Sequence, residues 1–186
     1  MPLVLENLTR QEVEVLPRAS TLFIIPVGIL EDHGPHLPLG LDLQEATNLA
    51  YRVASKLEEL AGAPSWTCVI YPPAPLGCDS NTDLMRVRIK GTVLRDYLYG
   101  VCSSLNDRGF LHFAVISGGL APRQLTAIEE AGRAFTRWHN GFFLMKLRAP
   151  NRLVSFSSVS SCLVKGADVC GSPMIADPLE HGGKRD

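Results

Sequence analysis

The chain has 186 residues whose charges nearly cancel, with 18 Lys and Arg against 19 Asp and Glu, so it offers no basic field for nucleic acid and no acidic tail. It begins without a charged segment leading into an apolar core, and no stretch reaches the ~18 apolar residues of a membrane-spanning helix. We therefore expect a cytoplasmic protein whose partner is a small molecule, with neither nucleic acid nor membrane as partner. Its length suits one domain, residues 1–186, large enough to bury roughly two-thirds of its unfolded surface.

Strand-like and helix-like patterns alternate along the chain. Apolar runs rich in β-branched and aromatic residues predict strands at 21–27, 66–71, 113–116 and 142–147. Between them, apolar residues at helical spacing predict helices at 42–61, 92–107 and 122–138. This alternation is typical of βαβ units. It predicts an α/β fold, namely a single three-layer α/β/α domain around a mainly parallel sheet.

Individual residues predict where some of these elements begin and end. Asp42 is able to cap the first helix, and Gly62 to close it. Pro122 suits the first turn of the last helix. The pattern fades beyond residue 150, where the segment 155–161 contains five serines in seven residues. We interpret that segment as a loop or an edge element.

The five cysteines are odd in number and include no C-x-x-C pair, which supports neither a disulfide framework nor a thiolate zinc site. We interpret them as reduced, structural thiols, because free cysteine is commonly buried. They are Cys68, Cys78, Cys102, Cys162 and Cys170.

Chemistry-bearing side chains concentrate directly after the first predicted strand. The run from Glu31 to Asp42 holds three carboxylates and two imidazoles in twelve residues, at the carboxyl end of a strand, where open α/β sheets place their active sites. Glu31 and His33 are two residues apart, so an extended segment puts both side chains on one side. Glu, His and Asp together are ligands for a divalent metal such as zinc or manganese. The alternative is a hydrogen-bonded polar turn. We interpret His36 as structural, with a role as a substitute metal ligand as the alternative.

The same run closely resembles the signature of the creatininase (creatinine amidohydrolase) family. The resemblance rests on Pro26-Val27-Gly28, on the run 31–38 and on Asp42. It implies an α/β hydrolase that opens cyclic or linear amides with a two-metal site. In that family pattern Glu31, His33 and Asp42 correspond to metal ligands, and Asp42 corresponds to the bridging one.

Downstream, the chain departs from the family pattern at two positions. The resemblance places Gly119 where the family has a metal-ligating His and Ala121 where it has a ligating Glu. Neither residue offers a side-chain donor. Near the end of the chain, Glu180 and His181 resemble a later family segment, which implies that they are catalytic residues and that His181 transfers a proton. The resemblance covers nearly the whole chain and predicts a domain shortened at its C-terminus.

Two functions remain open at this point. One is a metal-dependent amidohydrolase, in which the three ligand candidates hold zinc or manganese and His181 shuttles the proton. The other is a non-catalytic relative, an oligomeric subunit or small-molecule binder, which the loss of donors at Gly119 and Ala121 favours. For either function we expect a homo-oligomer. We also expect Gly119 to converge with the ligand candidates at the carboxyl end of the sheet.

Overall fold

The computed structural model describes residues 2–60, 66–78, 85–147 and 153–157. Its helices are α1 Arg10–Glu14, α2 Leu41–Glu59, α3 Gly91–Asn106 and α4 Pro122–Trp138, preceded by a 3₁₀ helix at Leu5–Asn7. Its strands are β1 Leu3–Val4, β2 Thr21–Val27, β3 Leu30–Glu31, β4 Thr67–Ile70, β5 Arg86–Val87, β6 His112–Ser117, β7 Phe142–Leu147 and β8 Leu153–Ser157. Among these described helices, none combines the length and the apolar composition that crossing a bilayer requires.

Six of the strands form one sheet in the order β1-β4-β2-β6-β7-β8. All neighbouring pairs are parallel except the last, in which β8 runs antiparallel to β7 at the edge. The predicted α/β class with a mainly parallel sheet is therefore confirmed. β3 and β5 pair separately as a small antiparallel ribbon.

Alternate side chains of the central strands pack against helices on opposite faces of the sheet. On one face, Phe23, Ile25 and Val27 of β2 share a core with buried residues of α3 and α4. On the other face, Ile24 packs with three buried alanines of α2. A strand buried on both sides requires this alternation, because successive side chains point to opposite faces. The sheet thus lies between two helical layers, as predicted.

The helices that follow β2 and β6 lie on opposite faces of the sheet, although the two strands are neighbours. α2 follows β2 on one face, and α4 follows β6 on the other. The chain therefore diverges at the carboxyl ends of these two strands and forms a crevice there. In open α/β sheets this is the place where ligands bind.

Most predicted boundaries agree with the structure, and one prediction at a helix end was wrong. The strands at 21–27 and 142–147 and the helix at 122–138 match β2, β7 and α4 residue for residue. Asp42 does not cap α2: the N-cap residue is Gly40, and no side chain makes a capping hydrogen bond there. Asp42 lies inside the first turn, and its carboxylate lies beside His33 instead. Gly62 lies outside the described residues, and the segment 155–161 begins within edge strand β8 and then leaves them.

The described cysteines, Cys68, Cys78 and Cys102, are buried, and none of the three forms a disulfide. Burial raises the pKa of the Cys68 thiol to about 11, with a smaller contribution from Glu58, and burial also raises the pKa of Cys102. Thiols with raised pKa values carry little thiolate, so Cys68 and Cys102 are structural, as predicted. The other two cysteines lie outside the described residues.

His112, at the start of β6, is packed among aromatic rings. Its ring stacks on Phe142 at a centroid distance of 5.0 Å and meets the ring of Trp66 edge-on at 4.8 Å. Its Nε2–H donates a 3.0 Å hydrogen bond to the carbonyl of Ala19. Burial disfavours the imidazolium and lowers the pKa of His112 below its ordinary value of 6.5, although the bond to Ala19 opposes this effect.

We expect His112 to make the protein less stable in mild acid. As pH falls through about 6.5, the unfolded chain binds a proton at this position before the folded chain does, so the free energy of unfolding decreases. His112→Phe should therefore flatten the decrease between about pH 7.5 and 5.5, measured by urea denaturation at each pH. The exposed His36, replaced by Asn, is the control that should keep the native slope. Equal slopes in both variants would contradict this account.

Candidate metal centre

Two glycines let the first turn of α2 rest directly on the ends of β2 and β6. A Cβ atom on Gly28, after β2, would lie 2.5 Å from the backbone nitrogen of Leu43. A Cβ atom on Gly118, after β6, would lie 2.5 Å from the carbonyl carbon of Asp42 and would overlap its oxygen. Only glycine permits so close an approach of two backbones. Asp42 is thereby fixed above the crevice between the two strands.

The buried face of α2 sets the direction of the Asp42 side chain. Residues 42, 46, 50 and 54 are each four apart, so they share one face of the helix. The last three are Ala46, Ala50 and Ala54, which are at most 1% exposed, and their small side chains let the helix approach the sheet closely. Asp42 continues this stripe into the first turn, where it is 4% exposed. The positive end of the helix dipole favours a carboxylate at that position.

The segment between β2 and α2 is held in place by hydrogen bonds that its backbone amides donate. Gly34 has a φ of 92°, in the left-handed region that favours glycine, and its amide donates a 3.2 Å hydrogen bond to Oδ1 of Asp32. The amides of Glu31 and Asp32 donate to the carbonyls of Leu39 and Met85 at 3.1 and 2.7 Å. These bonds fold the loop back from β3 towards the start of α2.

Glu31, His33 and Asp42 each place one ligand atom within 4.8 Å of the other two. Nε2 of His33 lies 3.5 Å from Oδ1 of Asp42, and this buried nitrogen has no hydrogen-bond partner in the described part of the chain. A buried polar atom without a partner is costly unless something else binds it. The 3.5 Å separation is close to the ~3.4 Å between two ligands of a tetrahedral zinc ion with bonds of about 2.1 Å. His33 and Asp42 are therefore spaced as two ligands of one divalent cation, and Glu31 offers a third ligand atom within 4.8 Å of both.

Gly119 faces the same carboxylate from the end of β6. A Cβ atom there would lie 3.3 Å from Oδ2 of Asp42 and 3.9 Å from Cγ2 of Ile29. The predicted convergence of Gly119 with Asp42 is therefore confirmed. A longer side chain at this position would meet the Asp42 oxygen, but glycine provides no donor of its own.

A buried amide side chain, Gln124, fixes the loop that carries Gly119. Gln124 is 1% exposed, and its Nε2 donates to Oγ of Ser117 at 3.4 Å and to the carbonyl of Leu76 at 3.3 Å. Its Oε1 accepts a 3.0 Å bond from the amide of Cys78. The Ser117 hydroxyl in turn donates to the carbonyl of Gly119 at 2.7 Å. Gln124 was not predicted from the sequence, because a single glutamine in a helix carries no signal of such a role.

The other residues singled out in the sequence do not join the three donors. His36 is exposed and lies outside the cluster. Ala121 is the N-cap residue of α4 and has no donor atom in its side chain. Glu180 and His181 lie outside the described residues, so their catalytic role stays a prediction.

The fold and the cluster together define an open α/β protein. Its candidate metal centre lies at the carboxyl ends of β2 and β6, where the chain turns to opposite faces of the sheet. The creatininase family model, described as creatinine amidohydrolase, matches residues 6–182. The chain therefore belongs to the creatininase family.

Two curated relatives are hydrolases. The 3-dehydro-scyllo-inosose hydrolase of Thermotoga maritima is 28% identical over 113 residues, which cover 61% of this chain and 34% of that protein. The mycofactocin precursor peptide peptidase of Mycobacterium tuberculosis is 48% identical over 42 residues, which cover 23% of this chain and 17% of that protein. The matched regions thus span about a third of the first relative and a sixth of the second.

Solved creatininases share the fold. The crystal structure of a creatinine amidohydrolase (creatininase) matches with a TM-score of 0.66 at 19% identity, covering 80% of this chain and 61% of that chain. A manganese form and a Zn–Zn form of creatininase match with TM-scores of 0.62 at 20% identity, covering 74% of this chain and 52% of theirs. The TM-scores establish a common fold despite the low sequence identities. They also place this chain beside structural neighbours that carry manganese or zinc.

Proposed function

We propose that this protein is a metal-dependent hydrolase that cleaves the C–N bond of a small cyclic or linear amide. One observation carries the proposal: Nε2 of His33 is buried without a hydrogen-bond partner among the described residues, 3.5 Å from an Asp42 oxygen. A divalent cation would bind this nitrogen and balance the nearby carboxylates. Membership of the creatininase family supports the class of reaction, and the names of both curated relatives describe hydrolases.

Glu31, His33 and Asp42 would hold the ion, and zinc and manganese both suit this donor set. A bound divalent cation would polarise the amide carbonyl and lower the pKa of water. Three protein ligands are sufficient for one catalytic zinc ion. The creatininases of the same fold in manganese and Zn–Zn forms support the choice of metals.

Positioning the donors, binding the substrate and transferring the proton would be the roles of other parts of the chain. Asp42 is anchored through α2, whereas Glu31 and His33 belong to the segment after β2, so helix and loop must both be in place before the three donors meet. The crevice beside Gly119, which has no side chain of its own, would receive the amide carbonyl. His181, with Glu180, would carry the proton to the leaving nitrogen.

A non-catalytic role is not favoured, because three donors remain together around a buried carboxylate. The absence of donors at Gly119 and Ala121 would instead affect the choice of substrate and the number of ions. We expect creatinine itself to be hydrolysed slowly or not at all, since a second ion would lack those two ligands.

We also propose that the protein forms a homo-oligomer. Large apolar side chains are exposed on its described surface, among them Trp138 at 71% and Leu60 at 63%. Exposed apolar surface often marks an interface. Light scattering of the full chain at micromolar concentration tests this, and a monomer would contradict it.

Metal analysis and amide hydrolysis test the proposed function together. The full chain, supplied with zinc or manganese, should bind at least one ion per chain and hydrolyse members of a panel of cyclic amides, linear amides and dipeptides. His33→Gln should lower both metal binding and hydrolysis, whereas His36→Gln, at an exposed histidine three residues away, should change neither. A chain that binds neither metal, or one that binds metal and hydrolyses no amide, would overturn the proposal.

Adding the two absent donors should increase metal binding. In Gly119→His combined with Ala121→Glu, the new Cβ atom at position 119 would lie 3.3 Å from Oδ2 of Asp42, and that oxygen must shift by a few tenths of an ångström to make room for it. We expect zinc or manganese affinity to rise by about tenfold, a partial gain because ligands also depend on supporting hydrogen bonds, which the two substitutions do not introduce. Calorimetric titration measures this rise.

The same titration contains its own control. Asp42→Ala in the double variant should abolish the gain, because the new donors would act together with that carboxylate. A folded double variant that binds metal no more tightly than the native chain would show that positions 119 and 121 are not ligand positions.

A further inference from the structure

A cavity of about 480 Å³ opens near the carboxyl end of the sheet and is rich in positive charge. Among the described residues that line it, three are cationic and none is acidic; the lining residues are Cys78, Arg88, Ile89, Lys90, Gly91 and Arg123. Its volume lies within the ~300–1,000 Å³ typical of small-molecule sites. The chain as a whole has a net charge of −1, so this is a local concentration of cations. Such a concentration favours an anionic ligand.

Two chain segments connect this cavity to the candidate metal centre. Arg86 is the antiparallel partner of Glu31, and Arg88 and Lys90 follow it by two and four residues. An extended chain advances by at most about 3.5 Å per residue, so they lie no more than about 7 and 14 Å from Arg86. One molecule could therefore reach both the metal centre and this part of the cavity.

The second connection starts at Asp42. Gly119 adjoins its carboxylate, and Arg123 follows Gly119 by four residues, again no more than about 14 Å away. The hydrogen bonds of Gln124 to Ser117 and to the amide of Cys78 fix the loop beside the metal centre to the wall of the cavity. The relative position of the two places is thus determined by the fold.

The cationic side chains of the cavity are available to a ligand. Arg88, Lys90 and Arg123 are exposed, and within the described ranges none of the three forms an ion pair. Arg95 and Arg133, on the same helices that border the cavity, are instead paired with neighbouring carboxylates. Guanidinium groups bind carboxylate and phosphate oxygens in pairs, which makes arginine the side chain best suited to such ligands.

We propose that this cavity binds an oxyanion, a carboxylate or a phosphate, that belongs to the substrate whose amide bond lies at the metal centre. The proposal rests on the proposed function and specifies its substrate class: amides that carry a negative group several bonds away from the C–N bond to be cleaved. Neutral cyclic amides of the size of creatinine would leave the cavity empty.

The anion site is tested without added metal, by titrating the full chain with inorganic phosphate and separately with acetate. The backbone amide NMR signals of Ile89, Lys90 and Gly91 should shift and reach saturation. The anion that binds more tightly shows whether the substrate's group is a phosphate or a carboxylate. Arg88→Gln and Arg123→Gln should each weaken binding by about tenfold. Arg133→Gln, which makes the same change of charge on α4, should leave binding unchanged. No saturable shift at these three amides, or equal weakening in Arg133→Gln, would overturn the proposal.

The link to the metal centre is tested with hydroxamates, which chelate zinc. The zinc-loaded chain should bind a dicarboxylic acid monohydroxamate of suitable length at least about tenfold more tightly than neutral acetohydroxamate, and Arg123→Gln should remove the difference. Equal binding of acetohydroxamate and of every monohydroxamate in a series of chain lengths would overturn the link. If neither kind of hydroxamate binds because the chain takes up neither zinc nor manganese, the proposed function fails, while the phosphate titration still decides whether the cavity is an anion site.

Discussion

Gly118→Ala is expected to destabilise the protein by about 3 kcal/mol or more, because its new Cβ atom would overlap the carbonyl oxygen of Asp42. Both partners in this contact are backbone, one at the end of β6 and the other in the first turn of α2, so neither can move aside as a flexible side chain would. For a chain of this length, a loss of 3 kcal/mol corresponds to a decrease in Tm of about 6–12 °C. Thermal denaturation followed by circular dichroism measures it.

Gly100→Ala provides the matched control. Gly100 lies inside α3, is exposed, and a Cβ atom there would have no described neighbour within 4 Å. Alanine should therefore raise stability by about 0.5–1 kcal/mol, through its helix propensity alone. If Gly118→Ala melted within two degrees or so of the native chain, the close seating of α2 on β6 would be wrong.

Asp42→Asn is expected to weaken zinc or manganese binding by about 100-fold or more. The substitution keeps the shape of the side chain but removes a charge that is buried 3.5 Å from His33. Losing even a residue that only supports a ligand costs roughly 10- to 100-fold in metal affinity, so losing a charged ligand should cost at least the upper end of that range. Competition with a chelator of known affinity measures the change.

Asp96→Asn is the control for Asp42→Asn, since Asp96 is an exposed residue of α3 whose partner is Arg95. It removes the same charge from the chain without touching the crevice, and metal affinity should stay at the native value. Equal losses in both variants would mean that net charge, and not a ligand at position 42, governs the binding.

The sequence predicted the central part of the fold, because its strands are long enough to carry a pattern. β2, β6 and β7 have six or seven residues and each contains at least four consecutive apolar ones, and α4 begins with a proline that suits its first turn. β1, β3 and β5 have two residues each, too few for any periodicity to be recognised. They were missed for that reason.

The candidate metal centre was predictable only in the part that is contiguous in sequence. Glu31, His33 and Asp42 follow one strand within a dozen residues, so their proximity could be anticipated. Gln124 forms a hydrogen bond with Cys78, which is 46 residues away in the sequence, and no local sequence pattern predicts such a pair. The same holds for Arg88 and Arg123, which meet at one cavity only because the fold brings the end of β5 close to the starts of α3 and α4.

The alanine face of α2 makes the metal centre sensitive to changes far from it. Ala54 is twelve residues from Asp42, or about 18 Å along the helix axis. A bulkier side chain at Ala54 would push that end of α2 away from the sheet. The helix would then tilt about its N-terminal end, where the backbone is in close contact with Gly28 and Gly118. The Asp42 carboxylate would then move relative to the loop that carries Glu31 and His33, with every donor atom still chemically intact. Inactivating substitutions in this protein are therefore expected at the far end of α2 as well as in the crevice itself.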